Sequence, residues 1–116
     1  MEMTTAVESL SALAHEGRLR VFRLLVQAGP GGLAAGEIAR RLGTPPNTLS
    51  ANLALLTHAG LAQSRRDGRS IIYSARFDRM GALMSFLAED CCGGAPEVCA
   101  PLAAATARSL CQPSGT

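Results

Sequence analysis

Lysine and tryptophan are both absent from the 116 residues, and the aromatic complement is three Phe and one Tyr. So few rings offer no stacking platform for a single nucleic-acid strand and no cage for a cationic ligand. No apolar run approaches the ~20 residues that span a bilayer, so no membrane partner is expected. The opening Met1-Glu2-Met3 lacks the basic segment and apolar stretch of a secretory signal, which points to a cytoplasmic protein. There thiols stay reduced, and the four Cys read as ligands or redox groups before they read as disulfides. The length suits one core and leaves no room for a second catalytic domain, while 47% hydrophobic residues supply that core with aliphatic side chains.

All eleven basic residues are arginine, so every positive charge is permanent and carries a planar fork suited to phosphate. The net charge of +2 hides an asymmetry. Residues 37–79 hold seven Arg against Glu37, Asp67 and Asp78, a local excess of four positive charges. That is the electrostatic footprint of a nucleic-acid partner, although a merely solvated basic face has the same composition. Arg40, Arg41, Arg65, Arg66 and Arg69 are the cations expected to reach DNA.

Hydrophobic periodicity sets the elements. Val7, Leu10, Leu13 and Ala14 recur at helical spacing from Thr4 or Thr5 to Ala14, and Leu19, Phe22, Leu25 and Val26 do so from His15 to Ala28. Gly29-Pro30-Gly31-Gly32 ends the second helix. A third, Ala35 to Leu42, turns Ile38, Ala39 and Leu42 inward. A fourth follows Pro45-Pro46 and runs to Ala59, burying Leu49, Leu53 and Leu56, with Thr48, Asn52 and Leu55 flanking that stripe. Its outer face, Asn47, Ser50, Ala51 and Ala54, is small and carries no acid to repel phosphate. Leu61 to Arg66 and Arg69 to Ser74 are strand candidates around Asp67-Gly68, a two-residue hairpin signal. Phe77, Met80, Leu83, Met84 and Leu87 then mark a last amphipathic helix ending near Asp90. Arg18 and Arg23 are expected to be a solvated helix face, and His15 and His58 to cap or pack near helix ends.

Two short helices about a Gly-containing turn, followed by a basic hairpin, give a mostly α fold with a small β-hairpin: a winged helix-turn-helix whose second helix enters the major groove. Asn47, Thr48, Ser50, Ala51 and Asn52 are its expected DNA-facing residues. The runs Ala12-Leu13-Ala14-His15-Glu16-Gly17-Arg18-Leu19-Arg20, Gly36-Glu37-Ile38-Ala39-Arg40-Arg41-Leu42 and Leu49-Ser50-Ala51-Asn52-Leu53 through Gly60-Leu61, with Arg66-Asp67-Gly68-Arg69 and Tyr73, resemble the ArsR/SmtB family of metal- and metalloid-responsive repressors. The resemblance covers residues 5–88 and implies a homodimer, built mainly from the first and last helices, that binds double-stranded operator DNA of dyad symmetry and leaves it on binding an inducer. The chain departs from the family at Ala51, where a His often follows the Ser, at Gly36 to Arg40, which lack the Cys-x-Cys arsenic motif, and after His58, where the His ligands of zinc sensors are missing.

What remains for sensing is Cys91-Cys92-Gly93-Gly94-Ala95-Pro96-Glu97-Val98-Cys99, with Cys111 further on. Neighbouring side chains diverge by about 100° on a helix, so Cys91 and Cys92 converge only where a helix stops, and Gly93-Gly94 supplies a stop. Three soft thiolates with no imidazole or carboxylate suit trivalent arsenic, As(III), or antimony, Sb(III), whose lone pair leaves three pyramidal bonds. Zinc prefers a closed tetrahedron and would need Cys111, which otherwise reads as a small buried hydrophobe. Residues 1–90 are thus expected to bind DNA and dimerise, and 91–116 to hold the inducer, with no obligatory cofactor. The rival sensors are a thiol redox or persulfide switch and a zinc- or cadmium-responsive repressor. An enzyme is disfavoured: a thiol phosphatase or arsenate reductase places an Arg six residues past its nucleophile, where this chain has Glu97, Val98 and Ala105, and there is no Cys-x-x-Cys.

Overall fold

The computed structural model describes residues 1–88. In chain order they form α1 (Met3–Leu13), α2 (Glu16–Ala28), β1 (Leu33–Ala34), α3 (Ala35–Leu42), α4 (Pro46–His58), β2 (Ala62–Asp67), β3 (Ser70–Ala75) and α5 (Phe77–Ala88). The expected ligands Cys91, Cys92, Cys99 and Cys111 lie outside the described residues. Met1–Leu83 is one compact unit. Among the described residues no helix is long and apolar enough to cross a membrane.

The core is aliphatic, as the composition requires. Val21 and Leu25 of α2, Ile38 of α3, Leu53 and Leu56 of α4, and Leu61 after it are all fully buried. Each such side chain contributes about 1.5–3 kcal/mol by leaving water. Phe22, Leu49, Ala62 and Ala75 complete the cluster, and Phe77 and Met80 at the start of α5 pack against it. Leu19, placed on the buried stripe by its spacing, is instead 42% exposed, and Val21 takes the inward position.

α1 departs from its pattern in the same way. Its buried residues are Ala6, Ser9 and Ala12, small side chains that let the helix approach α2 closely, while Val7 and Leu10 stand in solvent. The α1–α2 junction is held by Arg18, which is not a solvated cation. Its Nε donates to the Ala12 carbonyl at 2.6 Å, one of the carbonyls at the end of α1, and a terminal nitrogen donates at 3.3 Å to the Ser11 carbonyl, which also accepts the Ala14 N–H. His15 caps α2 as expected, its Nδ1 accepting from the Gly17 N–H at 3.2 Å.

The sheet has three antiparallel strands in the order β1-β3-β2, one more than the sequence pattern suggests. β1 is two residues long and exists only through its partner, Leu33 opposite Tyr73 and Ala34 opposite Ile72. Gly32 makes that pairing attainable. It sits at φ +72°, and a Cβ there would collide with the Tyr73 carbonyl and lie 3.0 Å from Ile72 Cγ2. Gly32→Ala should therefore lower stability by about 2–4 kcal/mol, combining left-handed strain with the backbone clash. Thermal denaturation at fixed protein concentration checks this; an unchanged midpoint would show that β1 contributes nothing.

The hairpin register corrects the expected turn by one residue. Asp67 pairs with Ser70, so the two-residue loop is Gly68-Arg69 and not Asp67-Gly68. Gly68 takes the first loop position at φ +63°, the sign that hairpin turns matching strand twist require there. The shift places Arg69 at the tip.

Candidate nucleic-acid interface

α3 and α4 are joined by Gly43, Thr44 and Pro45, with Pro46 opening α4. The missing N–H of Pro46 falls where a helix has no partner for it. No acidic residue occupies the first turn of α4, so the positive end of its dipole faces solvent uncancelled. Leu49, Leu53 and Leu56 fix the inner face. Asn47, Thr48, Ser50, Ala51 and Ala54 are consequently exposed, the small polar surface a major groove admits. Asn52 is a correction: at 6% exposed it does not share that surface, because its step around the helix turns it toward the first turn of α2.

The five candidate arginines fall into three states. Arg66 and Arg69 on the hairpin are exposed and have no hydrogen-bond or ion-pair partner among the described residues. Arg65 donates to the Gly31 carbonyl at 2.9 Å, tying β2 to the loop after α2. Nothing local in the sequence signals this bond, whose partners are 34 residues apart. Arg40 and Arg41 both engage Glu37, Arg40 through two hydrogen bonds and Arg41 at 2.9 Å. Those bonds, Arg40's first, hold the Glu37 carboxyl below its usual range, and Glu37 in turn raises Arg40. Glu37 thus stays ionised at neutral pH and cancels one of the two charges. The two guanidiniums are exposed, while the Glu37 side chain they share is partly buried.

Among the described residues no three His, Cys, Asp or Glu side chains converge as a metal group. A groove of about 410 Å³ between α1, α2 and α4, lined by Val7, Glu8, Ser11, Leu55 and His58 among others, brings one carboxylate and one imidazole to its walls.

A helix-turn-helix whose second helix presents a small polar face, followed by an arginine-tipped hairpin, defines a winged helix-turn-helix domain. Residues 13–65 match the helix-turn-helix domain family. The chain is 33% identical over 82 residues to the HTH-type transcriptional regulator YgaV of Escherichia coli, spanning 71% of this chain and 81% of that protein. Among solved structures, it superposes on an ArsR-like transcriptional regulator from Rhodococcus with TM-score 0.65 and 25% identity, over 72% of this chain and 76% of that one. It also matches a homodimeric winged helix-turn-helix DNA-binding domain from Mycobacterium bovis with TM-score 0.61 and 33% identity, over 76% and 82% of the two chains. The chain belongs to the ArsR-like family of winged helix-turn-helix transcriptional regulators.

Proposed function

We propose that the protein is a homodimeric repressor that holds a dyad-symmetric operator and releases it when trivalent arsenic is bound by the thiolates of Cys91, Cys92 and Cys99. The observation that carries the DNA reading is the pairing of α4's exposed, acid-free face with the unpartnered Arg66 and Arg69 of the hairpin. Asn47, Ser50 and Ala51 face base edges, and the wing reaches phosphates. The dimer is supported by the apolar surface of α1, where Met3, Val7 and Leu10 are 67%, 52% and 41% exposed, and by the homodimeric relative. Two copies place two recognition helices about 34–36 Å apart, one helical turn of DNA. The arsenic reading rests on the donor set, the three soft sulfurs of Cys91, Cys92 and Cys99 close together in the sequence.

The test is duplex binding by the purified, reduced protein, using a duplex selected from a random pool and titrated in turn with arsenite, zinc, cadmium, peroxide and persulfide. Release by arsenite at stoichiometric concentration supports the proposal, and release by an oxidant or by zinc alone replaces it with the corresponding rival sensor. Sedimentation of the free protein should give a dimer at micromolar concentration. Replacing Arg65, Arg66 and Arg69 together by Ala should weaken all duplexes alike and lower the slope of log K against log salt by about one per lost phosphate contact. An unchanged slope would remove the wing from the interface.

A further inference from the structure

Three residues, Ala59 to Leu61, join α4 to β2 and so set the angle between the helix and the hairpin that face DNA in the reading above. They close α4 tightly. The Gly60 N–H donates to the Thr57 carbonyl and the Leu61 N–H to the Leu56 carbonyl, each at 3.0 Å, the paired bonds of a helix end whose closing residue is left-handed. Gly60 supplies that residue at φ +80°. The Leu61 carbonyl then accepts the Arg76 N–H at 2.8 Å, which brings the start of α5 against the turn.

A side chain of α5 covers the same turn. A Cβ added to Gly60 would stand 2.9 Å from Cζ of Arg79 and 3.0 Å from each of its terminal nitrogens. A point almost equidistant from all three atoms, and nearest the central carbon, lies over the flat face of the guanidinium. The group therefore rests on Gly60, and any larger residue there would displace it. Arg79 is half-buried and has no hydrogen-bond or ion-pair partner for its side chain among the described residues, since the neighbouring Asp78 is engaged by Arg76 at 2.8 Å. Its place is nevertheless a favourable one. The last turn of α4 carries the negative end of the helix dipole, which attracts a cation, and a planar guanidinium is weakly enough hydrated to lie against backbone.

We propose that Arg79 is a positioning residue for DNA binding: from α5 it locks the turn at Ala59 to Leu61, and with it the angle of the recognition helix to the wing. α5 holds that turn at two adjacent residues, Gly60 through the Arg79 side chain and Leu61 through the Arg76 N–H. A tilt of α5 is thereby passed to α4 on one side of the turn and to β2 on the other. The exposed face of α4 and the hairpin arginines come under one control, and Arg79 contributes no phosphate contact of its own. The inference rests on the DNA-binding reading above and is independent of which inducer the protein takes.

The test uses the full-length protein and the selected duplex, with circular dichroism melts to confirm that each variant folds. In the free protein, Arg79→Ala should speed hydrogen exchange of the Ala59, Gly60 and Leu61 amides about tenfold while the amides of Val21 to Leu25 in the core keep their wild-type rates. Affinity for the duplex should fall about tenfold at an unchanged salt slope, because a misplaced helix and wing lose fit and no phosphate contact is removed. A slope lower by about one would put Arg79 on a phosphate and overturn the positioning role. Wild-type exchange at the three turn amides, or wild-type affinity, would overturn it too and leave the DNA-binding reading in place. A wild-type protein that binds no duplex would instead end that reading, and the positioning role with it. Should Arg79→Ala fail to fold, Arg79→Lys, which keeps the charge and loses the planar fork, is read in the same two ways.

Discussion

Leu25→Ala should cost about 2–5 kcal/mol, whereas Leu19→Ala, on the same helix and in the same apparent stripe, should cost about 1 kcal/mol. Leu25 is fully buried between α2 and its neighbours, and truncating it removes transfer energy and leaves a cavity, while Leu19 is already 42% in solvent. Total stability of a domain this size is about 5–15 kcal/mol, so the first change removes a large part of it. For a 60–100-residue unit each kcal/mol moves the melting midpoint by roughly 4–8 °C, so the two variants should melt at least 4 °C apart. The comparison is made at one protein concentration, because dimerisation adds a concentration-dependent term. Equal midpoints for the two variants would contradict the inward placement of Leu25.

The pair also shows which parts of the fold a sequence can carry. Helix order, the Gly and Pro stops and the hairpin are local signals, and each reappears within a residue or two, as with α3 from Ala35 to Leu42. What was illegible depends on distant partners or on a single step around a helix. β1 is a strand only because Tyr73 and Ile72 lie beside it. α1 turns Ala6, Ser9 and Ala12 inward because close approach to α2 favours small side chains, leaving its larger apolar residues, Val7 and Leu10, outside. Asn52 and Ser50 both looked available to DNA, yet two positions on a helix differ by about 200°, and only Ser50 is exposed. The arginine-rich wing was visible as composition, whereas the sharing of Glu37 by Arg40 and Arg41, and the Arg65 bond to Gly31, required coordinates.

Cys91→Ser, Cys92→Ser and Cys99→Ser should each leave operator binding at wild-type strength and abolish or blunt release by arsenite, while Cys111→Ser responds normally. Serine keeps the size of cysteine but offers a hydroxyl in place of the thiolate that holds a thiophilic centre, and a three-bonded centre loses a third of its attachment with each change. Cys91 lies three positions after Ala88 in the sequence, and α5 (Phe77–Ala88) begins with Phe77 and Met80 packed on the core that carries α4. Drawing three sulfurs onto one atom constrains the chain directly after that helix, and a shift in α5 would alter the spacing of the two recognition helices. For a hundredfold loss of DNA affinity the inducer must favour the released state by about 2.7 kcal/mol, within the ordinary range of coupling between sites. The readout is duplex affinity with and without arsenite for each variant, with bound arsenic counted by mass spectrometry of the intact protein. Normal release by all three single variants, or loss of the response in Cys111→Ser alone, would show that the inducer is held by a different set of sulfurs.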